Sequence, residues 1–408
     1  MSSSAVSISS EQSRRPHLEV ADVFRLHGAA YRQAHRLPVV YLQVMSAIER
    51  CRTAALGGHV DECDTCGHQR ISYNSCRNRH CPKCQANARR QWVEAQKQAL
   101  LPVEYFHVVF TLPDTINAVL RWNQRLLLNL LFKAVSETLL EFSKRHLKGE
   151  PGITAVLHTW GQTLVEHPHL HCIVTGGALS KDGSRFTTCP AGYLFPVRAL
   201  SQVFRGKYCD FLRHAYQSRQ LQGTQALPML SSDGSFATYL RELRHKSFVV
   251  YAKRPFAGPD QVIEYIGRYT HRIAISNRRI LSVDENTVSF QWKDYRDAER
   301  VKVMTLPADE FIRRFLQHVL PPEFVRVRHY GILANGRRKT KLERCRALLH
   351  ANWPVVTGES LNADHVAGAD EELLCEQCHL GRMRRREELS PERCPLPATG
   401  EIANLHYP

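Results

Sequence analysis

This sequence lacks a long hydrophobic run, an apolar leader and any surplus of acidic residues. Its most apolar stretch, Leu126 to Phe132 (LLLNLLF), is interrupted by Asn129 and followed by Lys133. That is far short of the ~20 apolar residues a bilayer requires, so no membrane role is indicated. The opening MSSSAVSISSEQSRR carries no secretory signal pattern. The thirteen cysteines are therefore expected in a reducing cytoplasm, not as the disulfide frame of a small secreted domain. No GxxxxGK[ST] phosphate loop and no repeat of solenoid length is present, which disfavours a fused helicase and a repeat array. Asp and Glu total 39 against 55 Lys and Arg, a net charge of +16. That balance calls for a polyanionic partner, with nucleic acid first. At 408 residues and 43% hydrophobic, the chain has material for two or three cored domains.

The Ser-rich residues 1–17 read as disordered, and residues 18–100 as a module of helices and zinc ligands. Residues 101–320 read as a domain of strands and helices. Residues 321–408 read as a basic extension with an unpaired Cys375-x-x-Cys378 near His379 and Cys394. Hydrophobic periodicity predicts a strand over Tyr105 to Leu112, a long amphipathic helix or helix pair over Ala118 to Leu147, and a hairpin of Ile153 to Leu164 with His169 to Thr175. A helix follows near Phe195 to Gln220, then a strand over Ser247 to Ala252 and a further helix. Short alternating runs from Ile280 to Leu306 add strands, and Glu310 to Leu320 a helix ended by two prolines. The order β-α-β-β-α-β-α gives an α+β fold, an antiparallel sheet with helices on one face in the manner of split βαβ proteins.

Three constellations carry chemistry. Cys63-x-x-Cys66 and Cys81-x-x-Cys84 are knuckles separated by fourteen residues, one short of the usual range for a four-cysteine zinc ribbon. Four thiolates leave no open position, so that zinc is expected to be structural. Arg77 and Arg79 flank the second knuckle as candidate phosphate contacts. Cys51, His59, Cys76 and His80 remain as candidates for a second zinc, set against buried or solvated side chains with no ion. The second constellation is EHPHLHCIV. On a strand, His169 and His171 face one way and Leu170 the other, so two imidazoles converge on one divalent ion, with His167 as a supporting residue. Gln162, on the partner arm, is the first choice as third ligand, with His158 and Glu264 in reserve. Two imidazoles and an amide oxygen suit Mg2+ or Mn2+. The third is EYIGRYTHR, where Tyr265 and Tyr269 stand one helical turn apart among Arg268, His271, Arg272, Arg278 and Arg279. Phenols beside phosphate-binding cations can serve as nucleophiles or, more blandly, as one face of an amphipathic helix.

Taken together, SCRNRHCPKCQ, FHVVFTLP, HPHLHCIVTGG, VVYAKRPFAGPDQVIEYIGRYTHRIAISNRRI and RHYGILANGR resemble transposases of the insertion sequence 91 family over roughly residues 20–350. The resemblance implies an HUH-endonuclease sheet with metal histidines at His169 and His171. It also implies a nucleophile at Tyr265 or Tyr269, with Tyr269 ranked slightly ahead because it adjoins His271 and Arg272. The implied activity is cleavage and rejoining of single-stranded DNA through a 5′-phosphotyrosine, in rolling-circle-like transposition. Partners would be single-stranded DNA at the transposon ends and target DNA, met in the bacterial cytoplasm at the nucleoid. Two alternatives stay open: a zinc-dependent DNA-binding protein without catalysis, and a relaxase or replication initiator with the same chemistry.

Overall fold

A computed structural model describes residues 18–84, 99–253, 267, 273–350 and 374–392. The N-terminal helices α1 (Val20–Ala34) and α2 (Val39–Arg50) form a hairpin around Pro38. Val20, Val23, Phe24 and Tyr31 recur at helical spacing on α1 and are buried, and the Asp22 carboxylate accepts from the Glu19 N–H at 2.8 Å to cap the first turn. After them come the short strands β1 (Gly58–Cys63) and β2 (Gln69–Tyr73).

The central layer begins with β3 (Tyr105–Thr111), followed by helices α3 (Asn117–Trp122) and α4 (Gln124–His146). A long hairpin, β4 (Gly149–Trp160) and β5 (Glu166–Ser180), carries the short β6 (Phe186–Thr188) beside its far end. Helices α5 (Val197–Gln217) and α6 (Asp233–His245) lead to β7 (Val250–Lys253). A meander of β8 (Ile280–Val283), β9 (Thr287–Asp294) and β10 (Arg300–Pro307) precedes α7 (Ala308–Leu316). Strand β11 (Val327–Gly331), helix α8 (Arg338–Leu348) and strand β12 (Met383–Leu389) complete the described elements.

In the main sheet the order is β11-β4-β5-β3-β7, every pairing antiparallel. Because side chains alternate, Phe106, Val108, Phe110, Leu170, Cys172, Val174, Ile153, Ala155 and Leu157 share one face and pack against α4, α5 and α6 in the largest core. Phe110 meets Phe204 of α5 edge to face, with centroids 5.3 Å apart. The helices thus lie on one face, as the α+β reading expects. The opposite face carries His107 and Val109 on β3, His169 and His171 on β5, and Val156 and His158 on β4.

A second core joins α1 and α2 to the β8–β10 meander and α7 through Phe24, Met45, Phe290, Phe311 and Phe315. It also takes in Leu164 at the tip of the β4–β5 hairpin, held at φ +61°, a conformation unusual for leucine. The Leu164 carbonyl accepts from Gln317 at 2.8 Å and lies 3.0 Å from His318 Nε2, so the hairpin tip is pinned to the end of α7.

The division at residue 320 does not follow the packing. β11 hydrogen-bonds along β4 as the edge of the main sheet. α8 buries Leu342 and Cys345 against Ala99, Leu101 and Leu179. β12 pairs with β1 in a sheet of order β12-β1-β2. The expected extension is therefore built into both other regions, because strand edges left unpaired are completed by whatever chain returns to them. No described helix is long and apolar enough to cross a membrane.

Candidate metal centres and nucleic-acid-processing site

The β4–β5 hairpin pairs His158 with His169 and Val156 with His171, so three imidazoles gather on two adjacent strands. Their ligand nitrogens lie within 4.8 Å of one another. His169 Nδ1 is 2.6 Å from the His167 carbonyl, which can only accept, so Nδ1 carries the proton and Nε2 keeps its lone pair. That lone pair faces His171 Nε2 at 3.1 Å. Two nitrogens bound ~2.1 Å from one ion at right angles stand about 3.0 Å apart, so the spacing fits a shared cation. On its other side His171 Nδ1 lies 2.8 Å from Nε2 of His107, a buried residue on β3, with the two rings stacked and nearly parallel. An Nδ1–H donated to His107 would leave His171 Nε2 open for a metal.

His158, the reserve candidate, thus takes the position expected of Gln162. Gln162 lies in the hairpin turn, and its amide donates to the Tyr295 hydroxyl at 3.4 Å. Strand alternation explains the difference. Register places His158 directly across from His169, whereas Gln162 is beyond the last paired residue of β4. His167 contributes its carbonyl to the site. His107 was missed, although the alternation in FHVVF and the pairing of β3 with β5 place it one residue pair along from His171 on the same face. Tyr265, Tyr269, Arg268, Arg272, His271 and Glu264 lie outside the described residues.

The cysteine ligand sets need correction. Cys63 and Cys66 do not meet Cys81 and Cys84. One cluster gathers Cys51, Cys76, Cys81 and Cys84, and a second gathers Cys63, Cys66, Cys375 and Cys378. In the first, Cys84 Sγ stands 3.6 Å from both Cys51 Sγ and Cys76 Sγ, close to the edge of a tetrahedron with ~2.3 Å metal–sulfur bonds. Cys51 follows the last turn of α2 and is fully buried, so this cluster is anchored in the core beneath α1 and α2. Without a cation the four thiols conflict. Hydrogen bonds from Cys51, Cys76 and Cys81 hold Cys84 far below the ordinary thiol range. Cys51 comes down to about 7, chiefly through Cys76, while the contact with Cys51 pushes Cys76 and Cys81 up. A dication would let all four ionise.

The histidines named with Cys51 and Cys76 do other work. His59 on β1 is 3.4 Å from the Asp61 carboxylate. His80 is half-buried, and loss of solvation around its ring lowers its pKa to about 3. It lines a cavity of about 20 Å³ with Trp160, Phe315 and His318, room for roughly one water.

Two of the arginines assigned to phosphate are instead engaged by the main chain. Arg79 donates to the carbonyls of Phe324 and Pro321 at 2.5 and 2.7 Å. Arg279 donates to those of Gln291 and Gln162 at 2.7 and 2.5 Å. Both tie segments distant in sequence to one another, a use of the guanidinium fork that composition alone does not reveal. Lys83 likewise pairs with Glu19 at 2.7 Å and is almost fully buried. Arg77 and Arg278 are exposed.

Comparison with known proteins agrees with this layout. The family described as "Transposase zinc-binding domain" matches residues 23–112, and the family described as "Putative transposase" matches residues 152–341. A Sinorhizobium fredii protein named "Putative transposase y4qJ" is 50% identical over 374 residues, covering 90% of this chain and 94% of that one. A Pseudomonas savastanoi pv. phaseolicola protein named "Transposase for insertion sequence element IS801" is 28% identical over 300 residues, 72% of this chain and 71% of its own. No solved structure matches the chain.

Proposed function

The chain belongs to the insertion sequence 91 family of transposases, and from that premise we propose that it nicks and rejoins single-stranded DNA through a 5′-phosphotyrosine intermediate in rolling-circle-like transposition. The observation that carries the reading is the convergence of His158, His169 and His171 on the face of the sheet opposite the helices. Their donor set is a fit for a divalent ion. With three imidazoles and, among the described residues, no carboxylate in the cluster, it suits a first-row ion such as Mn2+ better than the harder Mg2+. A cation held there would offset charge on a scissile phosphate.

The protein's own groups do the rest. His107 orients His171, and the His167 carbonyl sets the tautomer of His169. Tyr265 or Tyr269 supplies the attacking phenolic oxygen. The new Tyr–O–P bond forms as the P–O3′ bond breaks, the phenolic proton balances the released 3′ hydroxyl, and the bond energy is retained for religation without ATP. Having two tyrosines allows one strand to be held while a second is opened. Arg77 and Arg278, exposed among the described residues, are assigned to the DNA backbone together with Arg268 and Arg272. The Cys51–Cys76–Cys81–Cys84 zinc would hold the N-terminal module in shape for the duplex or hairpin beside the nick.

The test is an oligonucleotide from the element's terminus incubated with the protein and Mn2+. A 3′-labelled strand should become covalently attached and a 5′-labelled strand should not, since the 5′ phosphate of the downstream fragment joins tyrosine. Tyr265→Phe with Tyr269→Phe should abolish the adduct. An adduct that survives the double substitution, or that carries the 5′ label, defeats the reading. DNA binding with no nicking by the wild-type protein would favour the non-catalytic alternative.

A further inference from the structure

The second cysteine cluster joins two segments that sequence places 309 residues apart, between Cys66 and Cys375, and the matched zinc-binding family stops at residue 112. Cys63 Sγ lies 3.7 Å from Cys378 Sγ, and Cys66 Sγ lies 3.7 Å from Cys375 Sγ. These separations are well beyond a disulfide at ~2.05 Å. They match the ~3.7 Å edge of a tetrahedron of thiolates around zinc.

The two halves repeat one local geometry. In each Cys-x-x-Cys turn, the residue after the second cysteine takes a left-handed conformation, Gly67 at φ +70° and His379 at φ +55°. Its N–H returns to the carbonyl of the first cysteine, Gly67 to Cys63 at 3.1 Å and His379 to Cys375 at 2.9 Å. Main-chain N–H groups also point at sulfur. Cys63 Sγ receives Thr65 at 3.4 Å and Cys66 at 3.5 Å, Cys375 Sγ receives Gln377 at 3.4 Å, and Cys378 Sγ receives Gly381 at 3.3 Å. Such donors suit sulfurs that carry negative charge. Gly381 also sits where a Cβ would stand 2.4 Å from Cys63 Sγ, so the backbone is pressed against the cluster.

An independent observation is what β12 lacks. All its side chains are exposed or only partly buried, so apolar burial cannot hold it beside β1. Its ion pairs to the module, Arg386–Glu62 and Arg384–Asp64, and the nearby Arg70–Glu376 pair, lie at the surface, where each contributes little. Yet the strand pairs along the whole of β1.

We propose that Cys63, Cys66, Cys375 and Cys378 bind a second structural zinc, which clasps the C-terminal segment onto the N-terminal module and makes β12 its third strand. The N-terminal fold is then completed by residues from the other end of the chain. Removing the metal should free residues 374–392 while leaving the core-anchored cluster and the main sheet in place.

The experiment measures zinc in purified full-length protein by mass spectrometry of the metal, beside the variant Cys375→Ser with Cys378→Ser. The variant is expected to carry one zinc ion per chain fewer than the wild type, with unchanged circular dichroism in the helical region. Gly381→Ala provides a second probe that leaves every ligand in place, and it should lower occupancy of the same site alone. Replacement with cobalt should give thiolate charge-transfer absorbance that falls by about half in the double variant. A double variant that keeps the wild type's zinc content overturns the proposal, and iron in the second site overturns its metal. None of these readouts depends on DNA cleavage, so the clasp and the phosphotyrosine chemistry fail separately.

Discussion

Along β5, Leu170, Cys172 and Val174 turn toward the helices while His169 and His171 turn the other way, and the two faces obey different physics. On the helix side the side chains are apolar, fully covered and interchangeable only at a cost in packing. On the other side the imidazoles are held by register and hydrogen bonds, and their value lies in where their nitrogens point. The same strands therefore supply both the rigidity and the chemistry. A substitution on one face should unfold the protein, and on the other it should silence it.

The strongest test of that contrast is Phe110→Ala. The ring is fully buried against Phe204, and its removal should lower stability by about 4 kcal/mol, read from the denaturant midpoint. A loss below ~1 kcal/mol would mean that this face is not the structural one. His158→Ala should show the converse, a near-native melting curve with nicking reduced by about a hundredfold or more. If melting collapses while residual nicking is unchanged, the imidazole is a core residue and the comparison breaks.

Acid should sharpen the contrast from a third position. His318, buried at the pinned hairpin tip, and His329 on β11 are each lowered to about 4, chiefly by burial. The folded protein keeps them neutral while the unfolded chain protonates them below ~6.5. Stability is thus full above pH 6.5 and declines as pH falls toward 4, by on the order of 3 kcal/mol per group. His318→Gln should flatten that slope in urea titrations at pH 7 and pH 4.5, whereas an unchanged slope would remove His318 from the account. The smallest effect is expected at Gln162→Ala, less than about twofold in nicking, because its amide faces Tyr295. A loss as large as that of His158→Ala would restore it as a ligand.

Element order was legible because each relevant pattern is local. The alternation in FHVVFT, the β-rich arms around Pro168 and the apolar periodicity of the long helix each report one segment's burial, and the strands and helices fall where those patterns lie. Facing of His169 and His171 was equally local, since a strand repeats every two residues. The third imidazole was harder, because Gln162 and His158 sit on the same arm and only the hairpin register separates them. Arg79 and Arg279 were misread for a related reason. A guanidinium can donate to a carbonyl as well as to a phosphate, and which one it meets depends on chain segments far away in sequence.

The amino-acid order by itself determined the basic character, the strand and helix succession, the paired imidazoles and the presence of thiol knuckles, all of which follow from composition and short-range spacing. Only the tertiary structure decided which thiols share a cluster and which end of the chain completes the N-terminal sheet. A Cys-x-x-Cys turn fixes two of four ligands and says nothing about the other two. The physical reason is that a tetrahedral site is satisfied by any two knuckles the fold brings within reach, so Cys63 and Cys66 close on residues more than three hundred positions away while the nearer Cys81 and Cys84 turn to Cys51 and Cys76.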